Sequence, residues 1–323
     1  MKKVFQAMKK LISEAKTSVI VCHVDPDGDT LGSMLAMRII LSNMGVNVLM
    51  YSPDGVPPSY LFMPGSEKIM THAPKKEFDL MVTVDASGID RIGKSKIMAR
   101  KILNIDHHPD NTNFGDVNCV EQLSSTAEIV YKIAKEFSVK MTPQLAIPLY
   151  VGIMTDTGSF RFQNTKPTTF LVAKELVKKG ANPSYIADNI YNTKTIEAVK
   201  VCNAAFSLMK HTEDRKIVWT YITREMIVDS GAKAEDLTGI IDHLRSIKGI
   251  EVALLFREDK NGRIKVNFRS KGKINVSEIA HECGGGGHVL AAGCELDMSI
   301  EEAQEKVLEL VKKELNGRDN ISK

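Results

Sequence analysis

Apolar positions in the first half of the chain follow two alternating rhythms. Short aliphatic runs at 18–22 (Ser-Val-Ile-Val-Cys), 46–51, 80–84 and 102–105 have the length and polar boundaries of buried strands. Between the first two, Leu31, Leu35 and Ile39 recur at helical spacing over 31–43, and Met34, Met37 and Met44 fall on that spacing as core residues. Helical patterns then follow at 125–137, 143–154, 167–179, 184–191 and 195–210. Pro143, Pro167 and Pro183 stand near helix starts, where a missing N–H costs least, and Gly180 closes one helix. Lys9, Lys10 and Lys16 interrupt the N-terminal stretch, which reads as an amphipathic helix and not as a leader peptide. Short strands alternating with helices predict an α/β domain, a parallel sheet with helices on both faces.

The pattern resets beyond a charged helix and the polar stretch His211-Thr-Glu-Asp-Arg215. Strands are expected at 216–222, 252–256 and 264–268, and helices at 235–247, 275–282 and 299–315, the last opened by Ser299-Ile-Glu-Glu302 as a capping box. The division expected is a first domain over 1–191, a helical linker over 192–215 and a smaller α+β domain over 216–323. A length of 323 residues fits two domains, and 43% hydrophobic with 26% charged residues is ordinary globular composition. The formal charge of +3 excludes a strongly basic binder of long duplex, though not a local basic groove. No apolar run approaches the ~20 residues of a membrane span, and no lipidation signal is present. Five cysteines without a CxxC pair fit unpaired thiols in a reducing cytoplasm.

Polar clusters follow the expected strands. His23-Val-Asp-Pro-Asp-Gly-Asp29 follows the first, Asp85 the run at 80–84, and Asp106-His107-His108 the run at 102–105; Met154-Thr-Asp156 follows an apolar segment later in the chain. Ligands of open parallel sheets bind at the carboxyl ends of strands, so three clusters converge by topology and the fourth is expected to join them. Alone, Asp29 or Asp85 would be read as a helix N-cap. Together, carboxylates and imidazoles form a hard-to-borderline donor set that favours Mn²⁺, with Mg²⁺, Co²⁺ or Fe²⁺ as competitors, and no thiolate set points to structural zinc. An extended loop would put His23, Asp27 and Asp29 on one face, by the period of two.

HVDPDGD, VDASG, DHH and MTDTGSFRF, in that order, resemble the four motifs of the DHH phosphoesterase superfamily. Phe268-Arg-Ser270, Gly284-Gly-Gly-Gly-His288 and Ala291-Ala-Gly293 resemble its DHH-associated C-terminal domain. As a two-domain chain it resembles the nano-RNases, which also act as phosphatases on 3′-phosphoadenosine 5′-phosphate. The resemblance implies two metal ions sharing a hydroxide, one held by His23, Asp27 and Asp85 and the other by Asp29, Asp85, His107 and Asp156. Asp106 would orient a histidine and His108 would face the substrate phosphate. Asp25, at a position the family fills variably, is not counted as a ligand. Arg161, Arg269, Ser270, Gly285, Gly286, Gly287 and His288 would bind substrate, with the site in the cleft between the domains.

One chemical step joins the two implied activities, because a short RNA releasing a 5′-mononucleotide and a bisphosphate losing its 3′-phosphate both break a P–O3′ bond. The implied partners are short single-stranded RNA, dinucleotides and 3′,5′-bisphosphate nucleotides, with no membrane and no long duplex; relatives are often homodimers. Seven Lys/Arg against two acids over Arg257–Lys273 would concentrate positive charge, or guard a solvated strand edge. Competing enzyme readings are a dinucleotide-signal phosphodiesterase, cyclic or linear, and a manganese inorganic pyrophosphatase. A non-catalytic RNA-binding module is the reading from another class, and the intact donor set argues against it. His72, His211, His243 and His281 lack partners at ligand spacing, Trp219 reads as core, and Cys283 as small-residue packing.

Overall fold

The apolar runs of the first half become strands of one parallel sheet. The computed structural model describes residues 2–93 and 96–319, with the side chains of His288, Arg318 and Asp319 outside that description. It divides into two compact units, Met1–Thr193 and Lys194–Lys323. In the first, α1 (Lys2–Glu14) leads into β1 (Thr17–Val21), α2 (Gly28–Asn43), β2 (Asn47–Tyr51), β3 (Ile69–Met70), β4 (Glu77–Val84), β5 (Met98–Asp106) and β6 (Val117–Val120). Four helices follow: α3 (Thr126–Glu136), α4 (Pro143–Asp156), α5 (Pro167–Lys178) and α6 (Pro183–Tyr191). The strand order is β3-β2-β1-β4-β5-β6, all parallel. Strand order therefore reverses at β1/β4, where open α/β sheets leave a crevice at the strands' carboxyl ends.

Alternation along the strands sorts the core into two faces. Ile20, Leu80, Val82, Leu103 and Ile105 point into the larger cluster with the buried faces of all six helices. Val19, Val21, Tyr51, Phe78 and Met81 form a smaller cluster on the other face, where the cover is Ala86 and Ile92 of the segment containing the 3₁₀ turn Ile89–Ile92 and not an α-helix among the described residues. The helices α2 and α4 approach unusually closely. A Cβ on Gly32 would lie 2.3 Å from Pro148 O, and one on Gly152 would lie 2.6 Å from Ala127 Cβ and 2.8 Å from Asp29 Oδ1. Only glycine permits that spacing, and it seats Asp156, at the end of α4, beside the start of α2.

The second unit runs α7 (Ile196–Ser207), β7 (Lys210–His211), β8 (Ile217–Ile222), α8 (Arg224–Ser230), α9 (Ile240–Ser246), β9 (Val252–Glu258), β10 (Ile264–Ser270), α10 (Val276–Glu282), β11 (Gly286–His288), β12 (Ala291–Leu296) and α11 (Ile300–Asp319). Its sheet has the order β11-β12-β10-β9-β8-β7, with β8 and β9 parallel and the other pairs antiparallel. Val252, Leu254 and Phe256 of β9 face a cluster with α10 and α11, while Ala253 and Leu255 face one with α7 and α9. The helix expected over 235–247 is broken, because Gly239 takes a left-handed φ of 88° between the 3₁₀ turn Ala234–Leu237 and α9.

The glycine run is largely an edge strand. A Cβ on Gly285 would meet Gly293 O at 2.1 Å, and one on Gly287 would meet Ala292 Cα at 2.6 Å, so these glycines are required by close pairing with β12. All five cysteines are free and buried. No helix among the described residues is long and apolar enough to cross a membrane.

Candidate metal centre at the strand ends

The loop after β1 does not stay extended, as the spacing of His23, Asp27 and Asp29 suggested. Asp27 Oδ1 accepts the N–H groups of Asp29 and Thr30, each at 3.0 Å, and so caps α2, which begins at Gly28. Asp27 is thus a helix cap and an exposed carboxylate at the sheet edge at once. Asp29 enters the first turn of α2 and is fully buried. Its carboxylate accepts the N–H of Thr126 at 2.7 Å and of Ala127 at 2.8 Å, at the start of α3, where the helix dipole favours an anion.

Asp85 stands at the centre. It follows β4 with φ at 59°, a left-handed conformation that costs a non-glycine residue energy and that Asp tolerates better than most. Its Oδ2 accepts the Thr30 hydroxyl at 2.7 Å and lies 3.6 Å from His23 Nε2. Its Oδ1 accepts the Thr126 hydroxyl at 3.0 Å and lies 3.6 Å from His107 Nε2. His107 Nε2 is also 3.6 Å from Asp156 Oδ2, which Asn164 Nδ2 holds at 3.2 Å. His23 Nδ1 is 2.7 Å from Val24 O; with Nδ1 as the donor, Nε2 carries a lone pair. The Thr30 hydroxyl is also within hydrogen-bond reach of that Nε2.

Behind these groups, Asp106 is completely buried and its Oδ1 lies 2.7 Å from His108 Nδ1. Its Oδ2 accepts Asn111 Nδ2 at 2.6 Å, and Asn111 in turn donates to Asn104 Oδ1 at 2.8 Å. The His108 ring is therefore fixed by a buried, hydrogen-bonded carboxylate.

Electrostatics at the site are those of crowded carboxylates. Burial, reinforced by Asp85, Asp156 and Asp27, pushes Asp29 well above the usual carboxylate range against the opposing Ala127 N–H. Burial likewise lifts Asp156 to about 7, with His107 working against it and Asp85 and Asp27 with it. Burial would raise Asp85 too, but hydrogen bonding with His23 and the charges of His107 and His108 hold it well below the ordinary range. Burial disfavours the His108 imidazolium, yet the Asp106 hydrogen bond and the field of Asp85 lift it to about 9.

Among the described residues, three donor sets lie within 4.8 Å internally: His23, Asp27 and Asp85; Asp29, His107 and Asp156; and Asp85, His107 and His108. All are carboxylates and imidazoles, and the burial and like-charge repulsion that raise Asp29 and Asp156 are what a cation relieves. The residues fit a divalent metal centre.

The other residues expected at the site have contacts of their own, each within its own unit. Arg161 turns its Nε onto Gly158 O at 2.6 Å within its own loop. In the second unit, Arg269 on β10 lies 3.4 Å from Asp242, and Ser270 is fully buried with its hydroxyl accepting Gly272 N–H at 3.0 Å. Gly285 precedes β11, Gly286 and Gly287 lie in it, and the His288 side chain is outside the described residues. The basic run is less bare than its sequence suggested. Arg263 and Lys265 pair with Glu295, each at 3.0 Å, Lys273 lies 3.9 Å from Glu251, and Lys271 Nζ donates to Ile247 O at 2.8 Å. Sequence reasoning missed Thr30, Asn111, Thr126 and Asn164, whose contacts with the acidic groups carry no spacing signal in a single sequence.

A model of the DHH family N-terminal domain matches residues 17–153, and one of the DHHA1 domain matches residues 214–317. The bifunctional oligoribonuclease and PAP phosphatase NrnA of Thermus thermophilus is 31% identical over 315 residues, covering 95% of this chain and 94% of its own. The Bacillus subtilis protein of the same name is 28% identical over 292 residues, covering 89% and 91%. Among solved structures, an exopolyphosphatase-related protein from Bacteroides fragilis matches with a TM-score of 0.92 at 26% identity, over 99% of this chain and 98% of that one.

Proposed function

The chain belongs to the DHH family, with a DHHA1 domain in its second unit, and from that premise we propose that it is a metal-dependent phosphoesterase cleaving P–O3′ bonds in short oligoribonucleotides and in 3′-phosphoadenosine 5′-phosphate. The observation that carries this reading is the convergence of His23, Asp27, Asp29, Asp85, His107 and Asp156 at the reversal point of the sheet. Relatives named oligoribonuclease and PAP phosphatase, aligned over most of the chain, support the substrate class. We assign His23, Asp27 and Asp85 to one ion and Asp29, Asp85, His107 and Asp156 to a second, with Mn²⁺ as the expected metal. Bound there, divalent ions lower the pKa of water and neutralise charge on phosphoryl oxygens.

The protein's own groups do the rest. Asp106 holds His108 by Nδ1 and favours its protonated form, which suits Nε2 to donate to a phosphoryl oxygen or the departing O3′. The left-handed Asp85 turn offers one carboxylate oxygen to each donor set. In the second unit, Arg269 and the backbone of Gly285–Gly287 are assigned to nucleotide phosphates, with guanidinium geometry suited to bidentate contact. The buried Ser270 hydroxyl shapes the turn after β10 by accepting the Gly272 N–H.

The test is a panel assayed with Mn²⁺: di- to pentaribonucleotides, the 3′,5′-bisphosphate, pyrophosphate, cyclic dinucleotides and long RNA. Release of 5′-mononucleotides from the short RNAs and of phosphate from the bisphosphate is expected. Preferential turnover of pyrophosphate, cyclic dinucleotides or long RNA would overturn the assignment.

A further inference from the structure

The Asp85 carboxylate has to present one oxygen to His23 and the other to His107, and nothing in its backbone fixes that plane. Rotation about the terminal bond of an aspartate is soft and roughly two-fold, so a chosen plane must be held by hydrogen bonds. Two hydroxyls reach it, one on each oxygen: Thr30 on Oδ2 at 2.7 Å and Thr126 on Oδ1 at 3.0 Å. The Thr30 hydroxyl also lies against His23 Nε2, a candidate ligand atom, and so is shared between two groups of the site. The Thr126 hydroxyl approaches from the opposite oxygen, at the start of α3.

Thr126 does a second thing. Its backbone N–H donates to Asp29 Oδ2 at 2.7 Å, while Ala127 N–H takes Asp29 Oδ1 at 2.8 Å. One fully buried residue therefore ties Asp29, from the start of α2, to Asp85, from the end of β4. Ser125 caps the helix that holds it, its hydroxyl accepting Glu128 N–H at 3.1 Å. The Glu128 carboxylate returns to the Ser124 hydroxyl and accepts Thr169 Oγ1 at 3.2 Å, so the segment leading into α3 is braced from behind.

We propose that Thr126 is a positioning residue for the metal centre: its hydroxyl fixes the plane of Asp85 while its amide fixes Asp29, setting the relation between ligands drawn from the start of α2 and the end of β4. This rests on the metal reading above. The hydroxyl can be removed without disturbing the amide, because valine has the same branched shape and keeps the N–H.

The experiment measures Mn²⁺ binding by calorimetry, without substrate, on the full chain as wild type and as Thr126→Val, Thr126→Ser and Thr126→Ala, with melting in chelator beside it. Groups that orient metal ligands typically cost about 10- to 100-fold in affinity when lost, and a loss of that size is expected for Val and Ala. Serine, which keeps the hydroxyl, should bind within about threefold of wild type by the same scale. Wild-type affinity in Thr126→Val, or a Thr126→Ser protein as weak as Thr126→Ala, would overturn the proposal. The Ser/Ala pair decides the matter if the valine variant does not fold. Failure of the wild type to bind Mn²⁺ at all would overturn the metal reading itself and this inference with it, which separates the two failures.

Discussion

Replacing Gly152 by alanine should damage the metal centre from a distance. The new methyl would sit 2.6 Å from Ala127 Cβ, 2.8 Å from Asp29 Oδ1 and 3.2 Å from Asp29 Cα. Ordinary contact begins near 3.4 Å, so α4 must retreat from α3 by about 0.8 Å. Ala127 Cβ and Asp29 Cα move only with their backbones, and Asp29 Oδ1, though a side-chain end, is held by the Ala127 N–H at 2.8 Å. Overpacking of this kind costs about 1–3 kcal/mol. The retreat has a chemical consequence beyond stability. Asp29 Oδ1 is the atom bound by Ala127 N–H, and Asp156 is the last residue of α4, so both candidate ligands shift relative to Asp85. Urea unfolding in chelator should show the stability loss, and calorimetric titration should show weaker Mn²⁺ binding. Wild-type Mn²⁺ affinity in a destabilised Gly152→Ala protein would refute the claim that this contact sets the ligand spacing; unchanged stability would refute the packing argument.

Stability of the metal-free protein should fall as pH rises from about 4 to 9. Asp156, at about 7 when folded against 3.8 as a free carboxylate, takes up a proton on folding in this window, so its stabilisation is full below 3.8 and lost through pH 7. His108, lifted from 6.5 to about 9, contributes fully below 6.5 and loses its share through pH 9, while Asp85, shifted downward, acts only below the usual carboxylate range. Melting temperatures across this range in chelator check the sign, and a flat or rising profile contradicts it. Asp242→Ala should release Arg269 and lower KM for the bisphosphate by up to about fivefold, the scale of an exposed ion pair, whereas Arg269→Ala should raise it. Steady-state kinetics decide, and an unchanged KM in both variants removes Arg269 from substrate binding.

Legibility of the sequence varied with how local the determining physics was. The runs that became β1, β2, β4 and β5 announced themselves as short apolar stretches, three of them leading into His23, Asp85 and Asp106, and the order of strand ends already gathered the acidic clusters. By contrast, β6 is four residues long and carries Asn118, and β12 is built from Ala-Ala-Gly-Cys, so neither offers strand periodicity. The start of α2 was misplaced because Asp27 was weighed as a ligand and not also as a cap. The glycine run carries no strand periodicity either, because its glycines answer to β12, a partner periodicity cannot name. The Gly32–Gly152 approach, which carries Asp156 to Asp29, is invisible for the same reason. Pairing also altered the charge picture: the lysines and arginines at 257–273 were legible, but Glu295, Asp242 and Glu251 opposite them were not.

The most direct test of a shared metal centre at the strand ends is to measure bound Mn²⁺ and dinucleotide hydrolysis on the same preparations of wild type and Asp85→Ala. Asp85 lies 3.6 Å from both His23 and His107, so its loss should disable both donor sets together. Metal content and hydrolysis are expected to fall in parallel. Hydrolysis that survives while bound metal falls would contradict the account.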